Sequence, residues 1–584
     1  MESFSIPKKT LDAFDDDELR ARVFFEKYAL RDTDGVPMET TPDQMWRRVA
    51  NEIASTEKET KRQEVADDFD WLMSDWKFIP GGRIMFGAGQ PRHNTLLNCY
   101  VNAIREDSIE AIFDWCKEAA RTYSYGGGVG VDISILRPKG APVNNSAFKS
   151  TGSVSFMDIM SMTTGTIGQA GRRGALMITM RVDHPDIEDF ITIKQTPGRV
   201  TYANVSVRVT DEFMQAVEAN GPFTLRFKTD KAEMSRVVQA RAIWKKLVES
   251  AWKSAEPGII FWDTLIHNST TTYNGMVPLS TNPCGEVPLE DGGCCCLGSI
   301  NLSQFVTLPF TRDATIDTPN LEKAIKLGVR FLDDVLDYNL SKHPLPIQQK
   351  ASMWSRRIGL GITGLADMLI KLGIKYDSDV ALTIADGLMS WFKETAYNAS
   401  VDLAEEKGVF TGYETKHLVQ PFIQSLSKKT QERIAKSGIR NATVMTVPPV
   451  GSGSVLAGSS SGIEPVFALS YKRRSKSLSQ EEFSVVHPLI KEWSKYAGVG
   501  DYTAEGYALP AYFVSAHQIN PEFRVRMQAA IQKHVDQSIS STVNLPRGIS
   551  LKEVEMVFFL AWKLGCKGIT VYREGSREGI LETL

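Results

Sequence analysis

The sequence predicts an α/β protein entered through a layer of helices, and three observations carry that expectation. From Asp15 to about Pro80 apolar residues recur at helical spacing: Leu19, Val23, Phe24 and Tyr28, then Trp46, Val49 and Ile53, then Phe69, Leu72 and Trp76. Beyond Pro80, Gly-rich and β-branched segments alternate with amphipathic stretches such as Leu321 to Leu340 and Ile384 to Glu406, the alternation from which α/β domains are built. The 584 residues are 42% hydrophobic and 23% charged with 44 Gly, a balance that suits a large buried core and excludes a disordered or fibrous chain. The length prior suggests several domains, but α/β barrels run far beyond the average as one domain.

The formal net charge of -3 supplies no global basic field for nucleic acid. Small charged ligands stay open, because backbone N–H groups and a few Arg hold phosphates locally. Lys8 and Lys9 have no apolar stretch behind them, so a secretory signal is not expected. No apolar run approaches membrane-spanning length. Seven Cys in so long a chain do not make a secreted disulfide framework, and a cytoplasmic location, where thiols stay reduced, is expected.

Along the chain, a first thiol stands in Leu97-Asn98-Cys99-Tyr100-Val101. Tyr125-Gly126-Gly127-Gly128-Val129-Gly130 is not a Walker loop, since no Gly-Lys-Ser/Thr follows; it reads as a nucleotide contact or as close backbone packing. Arg172-Arg173-Gly174 and Lys194 to Arg199 are cationic Gly-containing loops, open both to a nucleotide site and to a solvated surface. Ser280-Thr281-Asn282-Pro283-Cys284-Gly285-Glu286 sets an amide, a thiol and a carboxylate two residues apart. In an extended segment these three would share one face, offering a hydrogen-bonding group, a hydrogen or electron relay and an acid/base.

Three consecutive thiols follow in Cys294-Cys295-Cys296-Leu297-Gly298-Ser299-Ile300-Asn301 and suggest redox chemistry. No C-x-x-C or H-x-x-x-H spacing accompanies them, so no metal site is expected. Gly408 to Gly438 reads as a polar insertion or surface helix pair. Pro449-Val450-Gly451-Ser452-Gly453-Ser454-Val455 can expose several N–H groups where a loop meets a helix, although Gly/Ser loops also serve as plain turns.

Taken together these segments resemble the catalytic subunit of ribonucleotide reductase, most closely the adenosylcobalamin-dependent class II type. The resemblance runs through Asn98-Cys99, Gly126 to Pro138, Arg172 to Ala175, His184-Pro185-Asp186-Ile187, Asn282 to Glu286, Cys295 to Leu302, Ser461 to Pro465 and Gly568 to Arg573. It implies a ten-stranded α/β barrel over residues 91–584 with a central finger loop, preceded by a helical region over 1–90 without an ATP cone. Inhibition by dATP through such a module is therefore not expected. Cys284 matches the thiyl-radical position that abstracts the ribose 3′-hydrogen. Glu286 matches the base for the 3′-hydroxyl, Asn282 the amide that orients it, and Cys99 with Cys295 the thiol pair that reduces C2′. Cys295 is chosen from the triple run because it stands six residues before Asn301, as in the family pattern. Gly451, Ser452, Gly453 and Ser454 match the substrate-phosphate loop, while Asn98, Gly127 and Gly128 would line the ribose pocket. Asp107, Arg137, Lys139, Lys194 and Arg199 match the deoxynucleotide specificity site and its relay loop, across a homodimer interface.

The radical must come from a cofactor or a partner, because no side chain here generates one unaided. Asn-Pro-Cys-Gly-Glu is typical of class II, and Thr570-Val571-Tyr572-Arg573 lacks the adjacent Tyr pair of class I; Tyr572 reads as a packed strand aromatic. Adenosylcobalamin is the expected cofactor. The alternatives are a class I chain without its own cofactor, fed by a ferritin-like metal-containing subunit, a catalytically silent nucleotide-binding homologue, and the glycyl-radical class III, whose C-terminal glycyl-radical motif and Cys₄ module are not evident here. No C-terminal Cys pair precedes Leu584. Either a thioredoxin- or glutaredoxin-like dithiol carrier reduces the active site directly or a tail lies outside this chain.

Overall fold

The computed structural model describes residues 5–169, 172–230, 232–474, 478, 482–500, 509–576 and 581–583. The N-terminal layer is helical, with Glu18–Lys27, Pro42–Ala54 and Arg62–Met73 as its main helices. The Asp17 carboxylate accepts from the Arg20 N–H at 3.1 Å and starts the first. Pro42 opens the second, where its missing N–H costs nothing. The apolar faces dock on the helix Thr318–Asn339 through Phe69, whose ring meets Phe331 edge-on at 5.0 Å.

Among the described residues ten strands form one mixed sheet: β1 (Phe78–Pro80), β2 (Cys99–Val101), β3 (Gly128–Asp132), β4 (Leu176–Arg181), β5 (Asn204–Val209), β6 (Gly258–Phe261), β7 (Cys294–Asn301), β8 (Ile358–Thr363), β9 (Thr542–Leu545) and β10 (Gly568–Arg573). Their almost wholly buried runs, such as Leu176 to Met180 and Ile358 to Thr363, are what a sheet covered on both faces requires. From β2 to β6 neighbours run parallel in chain order, joined by right-sized helical crossovers such as Ile109–Ser124. At one seam β6 meets β10 antiparallel, and at the other β2 meets β7 antiparallel. β7 pairs in parallel with β8, and β9 with β10. β1 adds to β7 as a short antiparallel edge.

The gap between β8 and β9 is bridged by segment 444–447. Leu360 N–H donates to Val444 O at 2.8 Å, Val447 N–H to Ser538 O at 3.2 Å and Ser540 N–H to Val447 O at 2.9 Å, in parallel register throughout. The ladder thus returns on itself as two parallel halves. Gly361 permits the approach, because a Cβ there would lie 2.3 Å from Thr446 O. Helices cover the outside, the longest being Thr318–Asn339 and Asp379–Lys407. The polar stretch from Gly408 to Gly438 holds the helix Lys428–Ser437, packed on the latter.

A hairpin, Ser280–Thr281 paired with Pro288–Leu289, enters the ring. Its backbone lies so close to β3 that a Cβ on Gly130 would fall 1.7 Å from Thr281 O. Asn204 on β5 donates to Pro283 O at 2.9 Å. From the opposite half, Ser538 N–H and Thr446 Oγ1 both donate to Glu286 O, at 2.9 and 2.8 Å. The hairpin tip is therefore tied to both halves and sits between them.

Candidate active site

The tip is a turn, which corrects the expectation of an extended 282–286 segment. Gly285 N–H donates to Asn282 O at 3.0 Å and Asn282 N–H to Val287 O at 3.0 Å. Pro283 presets the first central position of that turn, and Gly285 adopts φ +85°, closed to most residues. The three side chains consequently do not share one face of a strand. Asn282 and Glu286 are buried at the base of the turn, while Cys284 stands exposed at its apex.

The base of the turn packs on Cys99 and Cys295, which share a small interior cluster with Val101, Val287, Leu289 and Leu297. Cys99 on β2 and Cys295 on β7 are directly opposite in the antiparallel register, where Cα atoms come within the range that a disulfide spans. Alternation along β7 then separates the triple thiols: Cys294 points to Gln348 O at 3.9 Å, and Cys296 joins the main core. Asn282 Nδ2 donates to Cys99 Sγ at 3.1 Å, and Cys99 Sγ lies 4.0 Å from Glu286 Oε1. Asn282 Oδ1 accepts from Val287 N–H at 2.9 Å, so one amide locks the turn and addresses the sulfur.

Burial raises Glu286 to about 7, against the opposing pull of its backbone hydrogen bond and the Asn282 amide. Its Oε2 accepts no hydrogen bond from any described residue, which leaves a carboxyl poised to exchange a proton near neutrality. Burial, then Glu286, then the other two thiols push Cys99 well above the usual thiol range, so Cys284 and Cys295 both lie within its electrostatic reach. Burial also raises Cys295, while Arg357 and the Gln537 amide pull it down. Cys284 is raised as well, by burial and then by Glu286. Its thiol is open to a small molecule although protein surrounds it, the setting of a group that faces an interior space. All three sulfurs are thus thiols at neutral pH, suited to hydrogen-atom and proton transfer more than to thiolate attack.

The remaining expected residues separate into several places. Gly128 backs the turn, since a Cβ there would lie 2.9 Å from Pro283 Cγ, whereas Gly127 faces Thr122 and Tyr100 on the other side of β3. Asn98 is half-buried beside Gly81. Gly451 takes φ +58° and leads into the short helix Ser452–Ala457. Ser454 Oγ donates back to Gly451 O at 2.8 Å, and Gly453 packs on Ile79. Asp107 and Arg137 form an ion pair at 2.7 Å, with Lys139 exposed two residues on and its N–H donated to Asp186 at 2.9 Å. Lys194 turns inward, donating to Val200 O at 2.6 Å and pairing with Glu256 at 3.5 Å, so it anchors the 196–203 loop from beneath. Arg199 stays at the surface on Asp158. The side chains of Arg172 and Arg173 lie outside the described residues. Tyr572 is half-buried on β10.

Several contacts were not legible in the sequence. Gln537 Nε2 reaches Cys295 Sγ at 3.9 Å and is itself held by Ile358 O at 2.9 Å. Thr446 and Ser538 hold the Glu286 carbonyl. Each lies more than 150 residues from its partner in the chain, and no local spacing announces it. The clustered carboxylates Asp333, Asp334 and Asp337 are occupied by Arg356, Lys407 and Arg440 and form an ion-pair network behind the barrel.

Two family models match the chain, the ribonucleotide reductase all-alpha domain over residues 14–93 and the ribonucleotide reductase barrel domain over 97–572. The chain is 36% identical over 575 residues to a vitamin B12-dependent ribonucleoside-diphosphate reductase of Mycobacterium tuberculosis, covering 95% of this chain and 79% of that protein. A vitamin B12-dependent ribonucleoside-diphosphate reductase of Thermoplasma acidophilum is also 36% identical, over 89% of this chain and 66% of its own length. A ribonucleoside-diphosphate reductase subunit alpha of Chlamydia pneumoniae is 25% identical over 89% of this chain and 56% of its own.

Proposed function

The chain belongs to the ribonucleotide reductase large-subunit family, and from that premise we propose that it reduces ribonucleoside diphosphates to 2′-deoxyribonucleotides with adenosylcobalamin as its radical source. The observation that carries this reading is the Asn282–Cys99–Glu286 contact set with Cys295 directly opposite Cys99. Dependence on cobalamin is supported by the names of the relatives at 36% identity, and the diphosphate substrate by the same names.

The fingertip fits a bulky radical source, because the Cys284 thiol is exposed and a Cβ on Gly285 would meet nothing within 4 Å. The group would be held over Cys284 and Gly285. Bound there, adenosylcobalamin would supply a hydrogen-atom acceptor for the Cys284 thiol. The Cys284 sulfur then takes the 3′-hydrogen of the ribose while Glu286 accepts the 3′-hydroxyl proton, a transfer for which a value near 7 is suited. Cys99 protonates the departing 2′-hydroxyl, which leaves as water. The Cys99 and Cys295 sulfurs join as a disulfide, delivering two electrons and the Cys295 hydrogen to C2′, while Glu286 returns the proton to the 3′-oxygen and Cys284 returns its hydrogen to C3′. An external dithiol of the thioredoxin or glutaredoxin type restores the pair, in a cytoplasmic setting. Among the described residues no helix is long and apolar enough to cross a membrane.

A deoxynucleotide effector belongs near the Asp107–Arg137 pair and Arg199. Next to it the helices Ile109–Ser124 and Met157–Thr166 expose Ile109, Phe113, Ile159 and Met162, a face suited to a second copy of the chain. The deciding experiment supplies the purified chain with a ribonucleoside diphosphate, a deoxynucleotide effector and dithiothreitol, with and without adenosylcobalamin. Cobalamin-dependent product that disappears in Cys284→Ser, with nucleotide binding kept, is expected. Product only after addition of a metal-loaded ferritin-like subunit would overturn the cobalamin reading, and turnover by Cys284→Ser would remove that residue from its role.

A further inference from the structure

The helix Ser452–Ala457 is gripped from the N-terminal helical layer at two points. Tyr28, at the end of Glu18–Lys27, is 1% exposed and its hydroxyl bonds to Ser452 Oγ across 424 residues of sequence. Arg20, on the same helix, donates from Nε to Leu456 O at 2.9 Å. The Tyr28 hydroxyl also crowds Gly82, where a Cβ would lie 3.1 Å away. The other loop hydroxyl, Ser454, is committed to Gly451 O.

We propose that Tyr28 is a positioning residue of the substrate-phosphate loop, donating its phenolic hydrogen to Ser452 Oγ so that the Ser452 hydrogen is left to point at a phosphate oxygen. This rests on the reading of Gly451 to Ser454 as the phosphate loop. A hydroxyl carries one hydrogen and two lone pairs. With Tyr28 filling a lone pair, Ser452 is fixed in rotation, and its remaining O–H is polarised by the bond it accepts. The helical layer then does more than cover the barrel: it sets the donor that an anionic substrate meets. Arg20 keeps the helix from sliding while Tyr28 sets the hydroxyl.

The test is a cycle of Tyr28→Phe, Ser452→Ala and the double variant in the holoenzyme, measuring kcat and KM for the ribonucleoside diphosphate with thermal melting alongside. Tyr28→Phe keeps the buried ring and removes only the hydroxyl. It is expected to raise KM about fivefold, the effect of one lost neutral hydrogen bond, with most of the loss in KM and little in kcat. The double variant should be no worse than Ser452→Ala alone, because Tyr28 acts through Ser452. Gly82→Ala, which pushes on the Tyr28 hydroxyl without altering the ring, should raise KM in the same direction. A raised KM in Ser452→Ala with none in Tyr28→Phe, or effects that multiply in the double variant, would overturn the role of Tyr28 and leave the phosphate loop standing. An unchanged KM in Ser452→Ala would instead remove the phosphate-loop reading, and this inference with it.

Discussion

Replacing Glu286 by Gln isolates the cost of ionising a carboxyl inside the barrel. The side chain is 2% exposed and Oε2 has no described partner, so nothing compensates the second oxygen for lost water. Its folded value near 7, against 4.5 for an ordinary Glu, corresponds to about 3 kcal/mol. The sign follows from linkage. Below pH 4.5 the carboxyl is protonated in both states, and Gln, of the same shape, changes little. Between 4.5 and 7 the unfolded chain releases its proton first, so native stability falls as pH rises, and above 7 the full cost is present. Chains of this length have an unfolding entropy of about 1.2 kcal/mol per kelvin. Glu286→Gln should therefore melt about 2–3 °C above wild type at pH 8 and within about 1 °C of it at pH 4.5, at one scan rate. Deoxynucleotide formation should fall at least about 100-fold, the usual contribution of a positioned base. Equal melting differences at the two pH values, or a lower melting point at pH 8, would refute the placement of Glu286 as an uncompensated buried acid.

In the wild-type enzyme, kcat/KM should rise with pH through an apparent value near 7 as Glu286 ionises to a base; a pH–rate profile flat from 6 to 8 would assign the proton to another group. Gly130→Ala places a Cβ where Thr281 O now lies, so the hairpin must shift. Turnover should drop about 100-fold, as expected for a misplacement near 1 Å, with the helical content by circular dichroism kept; activity within threefold of wild type would mean that the tip is not held by this contact.

Local pattern determined much of this protein. The helical spacing of Val23, Phe24, Trp46 and Val49 foretold the N-terminal layer, because a 3.6-residue period needs no partner to be read. The amphipathic stretches Leu321 to Leu340 and Ile384 to Glu406, alternating with β-branched segments, foretold the α/β core, and they fold as parts of the helices Thr318–Asn339 and Asp379–Lys407. Chemistry was legible too, since thiols, an amide and a carboxylate gathered at 99, 282–286 and 294–296 have few structural uses.

Tertiary structure decided the geometry. Reading 282–286 as extended failed because Pro283 and Gly285 favour a turn, and the turn is completed by Val287, Thr446 and Ser538. The register of β2 against β7 set Cys295 opposite Cys99 and turned Cys294 and Cys296 away. The sequence left Lys194 open to a nucleotide site or a solvated surface; its hydrogen bond to Val200 O and its pairing with Glu256 exist only in the fold. Closure through 444–447, and the reach of Tyr28 to Ser452, join residues far apart in the chain. The amino-acid sequence records which groups are present and their local periodicity; burial, and which distant group faces which, exist only once the chain has closed around them, and they set the proton affinity of Glu286 and the environment of every thiol.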